Sequence, residues 1–156
     1  MITADGTPKV IEYNCRFGDP ETQPVLLRLK SDLVSHCMAA LNNSLNREKV
    51  EWETRKSLGV VMASGGYPGN YSNNHPILGL EDISSNYGHK VFHGGTKFAD
   101  NRLVTNGGRV LCVTALGDSL EDAKTSAYEL VSKISWENVQ YRTDIGWRAI
   151  EKNREN

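Results

Sequence analysis

The sequence predicts an α+β protein built in two units. Three observations carry this reading. A strictly alternating stretch opens the chain, and two stripes of apolar residues recur at helical spacing. Between those stripes lie short apolar runs punctuated by glycine-rich turns. The first unit, residues 1–50, reads as a β-hairpin followed by a helix. The second, residues 51–156, reads as a small strand-rich domain with one long helix.

At the start, residues 1–4 are β-compatible and Asp5-Gly6-Thr7-Pro8 is a turn signal. In residues 9–17, Ile11, Tyr13, Cys15 and Phe17 alternate with Glu12, Asn14 and Arg16, as on a strand with one apolar and one polar face. Such a hairpin starts abruptly, so Met1 is expected to be an internal methionine of a longer protein or the start of a truncated one. Gly18-Asp19-Pro20 breaks the strand. Asp19 or Thr22 can cap a following helix, and Pro20 and Pro24 suit its first turn. Leu26, Leu29, Leu33, Cys37 and Leu41 form one stripe, predicting a helix to about Leu41. Asn42-Asn43-Ser44 ends it. Residues 46–56 are charged and read as a connector or short helix.

Residues 58–63 predict a buried strand ending in the turn Ser64-Gly65-Gly66-Tyr67-Pro68-Gly69. Residues 90–98 alternate around His93-Gly94-Gly95-Thr96. Asn106-Gly107-Gly108 is a hairpin-type turn feeding a strand over 109–116. Ser119-Leu120-Glu121-Asp122 resembles a helix start. Leu120, Ala123, Ala127, Leu130, Val131 and Ile134 supply that helix's apolar stripe. The tail, 141–148, is less regular.

Composition excludes several classes. The 156 residues carry a formal net charge of −1, with no basic run or basic–aromatic stretch of the kind that binds nucleic acid. No apolar segment is long enough to cross a membrane, and no signal peptide opens the chain. Cys15, Cys37 and Cys112 are odd in number and widely spaced, so they read as reduced, buried thiols of a cytoplasmic protein. His36 reads as structural, and His75 and His89 as loop residues without a role.

The strongest chemical signal is Glu12-x-Asn14-x-Arg16. Two oxygen donors on one strand face suit a hard divalent cation. An arginine one step further suits a phosphate beside that cation. The plainer reading is a polar sheet face.

A Glu-x-Asn-x-Arg strand resembles the late metal-binding strand of the ATP-grasp ligases. The longer string Ile11-Glu-Tyr-Asn-Cys-Arg-Phe-Gly-Asp-Pro-Glu-Thr-Gln-Pro24 resembles the glycinamide ribonucleotide synthetase (phosphoribosylamine–glycine ligase) family. Agreement continues through Gly65-Gly66-Tyr67-Pro68-Gly69, Phe92-His93-Gly94-Gly95-Thr96-Lys97, residues 105–111 and residues 144–149. It departs at Gly95, where the family often has alanine. The likeness covers essentially the whole chain but only the C-terminal third or so of the family's length.

The resemblance implies the end of an ATP-grasp domain over residues 1–50 and the family's C-terminal domain over 51–156. It implies an ATP-dependent ligase of purine synthesis that joins glycine to 5-phosphoribosylamine through a glycyl phosphate. Glu12 and Asn14 would ligate Mg²⁺ (or Mn²⁺) bridging the ATP phosphates, and Arg16 would act on the γ-phosphate or acyl phosphate. Asp19 and Glu21 would position a substrate amine, or Asp19 would simply cap the helix. His93, Gly94 and Thr96, with the turn 65–69, would close over the ribose phosphate through backbone N–H donors, or these are plain turns and His93 a hydrogen-bonded structural histidine. The nucleotide's other wall belongs to the preceding part of such an enzyme, so this chain alone is expected to be inactive. A non-catalytic binding module derived from such a ligase is the alternative, and an ATP-grasp carboxylase a third reading.

Overall fold

The computed structural model describes residues 2, 3, 5–13, 15–84 and 86–154. In order, α1 is Thr22–Leu27 and α2 is Leu33–Leu41, with a 3₁₀ turn at Leu45–Arg47. Strand β1 (Lys56–Ala63) is followed by β2 (His89–His93), β3 (Thr96–Ala99), β4 (Arg102–Thr105) and β5 (Arg109–Gly117). Helices α3 (Leu120–Val131) and α4 (Trp147–Arg154) follow. The mixture of helix and strand is the α+β class predicted.

Strand β5 is the centre of the molecule. It pairs antiparallel with β1 on one edge and β2 on the other, in the order β1-β5-β2. The register places Leu58, Val60 and Met62 on one face with Leu111, Val113 and Ala115. Helix α3 covers that face with Ala123, Ala127, Leu130 and Val131 to form the main core. The opposite face carries Gly59, Val61, Phe92 and Cys112, and α1 lies over it. Because both faces are covered, β5 reads in the sequence as a continuous apolar run instead of an alternating one. Cys112 is buried there, as predicted, and burial raises its thiol pKa.

The predicted capping box holds α3. Ser119 Oγ accepts from the Asp122 N–H, and the Asp122 carboxylate accepts from the Ser119 N–H. Asn106-Gly107-Gly108, expected to close a hairpin, instead carries the chain between sheets, because β4 pairs with β3 and β5 does not. The true hairpin turn is Asp100-Asn101, both at positive φ (48° and 58°), as a two-residue turn of primed type requires.

The first unit departs from expectation. No ladder forms among the described residues of 9–17, and Ile2 bridges only Pro8. Val10, Ile11, Tyr13 and Phe17 are exposed. A strand needs a neighbour for its backbone groups, and the alternating face here meets none. Asn14 lies outside the described residues. The predicted single helix to Leu41 is two helices. Leu29 leaves the helical path to bridge Trp52, and Lys30 N–H donates to the Glu51 carbonyl (2.9 Å). Asp32 restarts the helix as N-cap, its carboxylate accepting from the Val34 N–H at 2.7 Å. Within α2 only Ala39 is buried, so the stripe through Cys37 and Leu41 faces outward. Cys15 and Cys37 are exposed, contrary to expectation, because the segments that carry them have no covering layer here. The irregular tail ends in α4.

Candidate functional site

Helix α1 is tied to the sheet by backbone-directed bonds. Ser57 Oγ donates to the Pro24 carbonyl (2.7 Å), and the Arg28 guanidinium donates to the Glu53 carbonyl (3.0 Å). Glu53 is itself buried and holds Arg55 at 2.8 Å. The hydrogen bond from Arg55 is the main reason its carboxyl is held down at about 2.

With α1 in place, the turn before it and the sheet enclose a cleft of about 400 Å³. The turn and α1 contribute Asp19, Pro20 and Gln23, and the glycine-rich turn contributes Tyr67. The end of β2 contributes Phe92 and Gly94, and β5 with its leading turn contributes residues 108–112. Across the cleft mouth the Asp19 carboxylate accepts from Arg109 Nη2 at 2.8 Å. Both side chains are about half exposed. The Arg109 guanidinium also lies over the Tyr67 ring, 6.0 Å from its centroid. Glycine at 108 lets the Tyr67 ring close on the backbone, since a Cβ there would run into the ring's edge. A second, more apolar cleft of about 520 Å³ adjoins, lined by Val61, Tyr67, Tyr141 and Ile145 among others.

Of the residues singled out in the sequence, this cleft gathers Asp19 and Gly94. Asp19 does not cap α1: the N-cap position is Glu21, which makes no side-chain cap bond. Glu21 is exposed and folds its carboxylate back over Gly18. His93 and Thr96 sit beside the cleft, joined through Nδ1 and Oγ1 at 3.2 Å. Two N–H groups of the 93–96 turn are already committed. Gly94 N–H donates to the Val110 carbonyl and Gly95 N–H to the Arg109 carbonyl, each at 2.9 Å. That stretch carries the chain from one sheet to the other and is not an anion nest.

Glu12 and Arg16 are exposed and line neither cleft. Arg16 Nη1 donates to the Phe17 carbonyl at 2.9 Å. Among the described residues no three of His, Cys, Asp and Glu gather as a metal site. The donor chemistry of Glu12 and Asn14 still fits Mg²⁺. That ion keeps several waters and is held through one or two carboxylates together with phosphate oxygens.

Gln23 and Arg109 were not singled out as site residues from the sequence, and Tyr67 entered only as part of the turn 65–69. Arg109 had one faint signal, a cation opening an otherwise apolar strand straight after two glycines. The histidines without assigned roles are structural. His36 bonds Ser31 (2.7 Å), His89 bonds the Ser84 carbonyl (2.8 Å), and His75 lies between Ser72 (2.6 Å) and Glu137 (3.1 Å).

Residues 57–148 match the family model described as "Phosphoribosylglycinamide synthetase, C domain". The chain belongs to this synthetase family. Among relatives of the synthetase C domain, phosphoribosylamine–glycine ligase of Escherichia coli K12 is 57% identical over 157 residues, covering 99% of this chain. The Vibrio parahaemolyticus protein of the same name is 54% identical over 155 residues, also 99% of this chain. The chain spans 36% of the length of each. The crystal structure of phosphoribosylamine–glycine ligase from Thermotoga maritima superposes with a TM-score of 0.68 at 33% identity, over 90% of this chain and 34% of that one. The residues matched to the synthetase C domain take in β2–β5, α3 and nearly all of β1, while Asp19, Pro20 and Gln23 of the cleft precede them.

Proposed function

We propose that this chain is the C-terminal part of an ATP-dependent ligase that joins glycine to 5-phosphoribosylamine in the cytoplasm, on the route to purines. The observation that carries the reading is 57% identity, across 99% of this chain, to a relative named phosphoribosylamine–glycine ligase. Residues 1–50 complete an ATP-grasp domain whose larger part precedes them, and residues 51–156 form the C-terminal domain.

In the complete enzyme ATP phosphorylates the glycine carboxylate, and the phosphoribosylamine amine displaces phosphate from the glycyl phosphate. Glu12 and Asn14 hold a divalent cation, Mg²⁺ or Mn²⁺, which when bound offsets the charge of the ATP phosphates. Arg16 binds oxygens of the transferring phosphoryl group, where a fixed cation stabilises developing charge. Asp19 and Glu21 accept from the substrate amine. His93, Gly94 and Thr96 border the ribose phosphate. Gly94 lines the cleft, packed closely on the Arg109 carbonyl, and His93 and Thr96 offer side-chain donors. No membrane or nucleic-acid partner enters this reading, and no helix among the described residues is long and apolar enough to span a bilayer.

The test is an assay of ADP release dependent on both glycine and phosphoribosylamine. A full-length protein carrying this sequence as its C-terminal part is expected to turn over, and Arg16→Ala to lower kcat by at least about a hundredfold. The purified 156-residue chain is expected to show no turnover. Activity of that chain by itself, or a full-length protein inert toward glycine, would sink the corresponding half of the reading. The second outcome would favour a binding module.

A further inference from the structure

We propose that Arg109 is a phosphate receptor and that Asp19 occupies its place until a phosphomonoester displaces it. The ligand's identity, a pentose phosphate, rests on the ligase reading; the exchange itself rests on the cleft.

Three observations carry it. First, the Asp19–Arg109 pair is open. At 2.8 Å it is a direct charge-assisted bond, yet both partners are about half exposed. Exposed pairs are worth little, so a doubly charged phosphate competes readily with one carboxylate. Second, the guanidinium is held in place. It lies over Tyr67, and Tyr67 is seated against Gly108, so Arg109 presents its fork to the cleft with little side-chain freedom to lose. Third, the cleft has room and further polar capacity. Its volume, about 400 Å³, suits a small ligand. Gln23 lines it, with a side-chain oxygen buried and lacking a donor. Turning that amide toward the cleft lets a sugar hydroxyl satisfy it. When phosphate takes Arg109, the Asp19 carboxylate is released toward a substrate amine, so one exchange sets both ends of an aminated sugar phosphate.

The test uses the 156-residue chain and ribose 5-phosphate, which carries the phosphate without the amine. Inorganic phosphate and ribose serve as the two part-probes. Binding is read by calorimetry and by the NMR signal of the Arg109 Nε–H. Saturable binding of ribose 5-phosphate is expected, with ribose alone inert. Arg109→Ala should weaken it by at least about tenfold. Arg109→Lys, which keeps the charge but loses the fork, should fall between. Asp19→Asn should bind several-fold more tightly, a sign that a merely structural ion pair would not give. Unchanged affinity in Arg109→Ala, weaker affinity in a folded Asp19→Asn, or ribose binding as well as its phosphate would each overturn the proposal. If the exchange holds while the full-length protein fails to ligate, the ligase reading alone is lost.

Discussion

Glu53 gathers several interactions at one residue. Its Oε2 holds Arg55, its Oε1 accepts from the Thr54 and Arg55 N–H groups, and its carbonyl takes the Arg28 guanidinium. The bonds to the carboxylate, that from the Arg55 side chain first, favour the ionised form and lower its pKa from 4.5 to about 2. A carboxyl depressed on folding stabilises the native state above its unfolded pKa, and that contribution fades as pH falls toward the folded value. Chemical denaturation of the wild-type chain should therefore lose stability progressively between pH 4.5 and about 2. Glu53→Gln should be less stable at pH 7, with the difference shrinking across that window. A constant difference from pH 7 to pH 2 would count against the assignment. Single residues also mark where sequence reading stops. Arg109 and Asp19 lie far apart in the chain, and only folding reveals that they pair. Cys112 was legible because its whole strand is apolar. Cys37 was misread because an apolar stripe does not say whether anything covers it.

At the scale of elements, the capping residues separate the two helical regions. For α3, the box Ser119–Asp122 precedes a clean stripe, so start and face were both readable. For α1 and α2 the stripe through Leu29 and Leu33 conceals a break, because Leu29 and Leu33 also fit one continuous helix. Asp32, which resembles a solvated charge in sequence, is the residue that restarts the helix. Replacing it with alanine should cost about 1 kcal/mol of helix stability. Because α2 carries little core, far-UV dichroism should report that loss more strongly than the global unfolding midpoint does. Ser119→Ala should cost a similar amount, about 1 kcal/mol, but lower the global midpoint, since α3 covers the main core. Equal effects of the two variants on the global transition would show that α2 is as integral as α3. The 9–17 segment fails differently: alternation predicts a face, and without a pairing edge the face does not make a strand.

For the molecule as a whole, stability is lodged in the core between β1, β5 and α3. Met62, Leu111 and Val113 are essentially inaccessible, and β1, β5 and α3 meet on them. Met62→Ala or Leu111→Ala should cost about 2–5 kcal/mol by transfer and cavity terms, read from denaturant midpoints at unchanged slope. Truncating Ile11 or Val10, both largely exposed, should leave the same midpoint unchanged. The position of α1 adds a consequence of reach. While it is made, the Asp19–Arg109 pair fastens the turn that follows Phe17, seven residues along the chain from Glu12. Fully extended, such a stretch is roughly 25 Å long. On the proposed function, a cation held by Glu12 would lie within roughly that distance of the turn at Asp19.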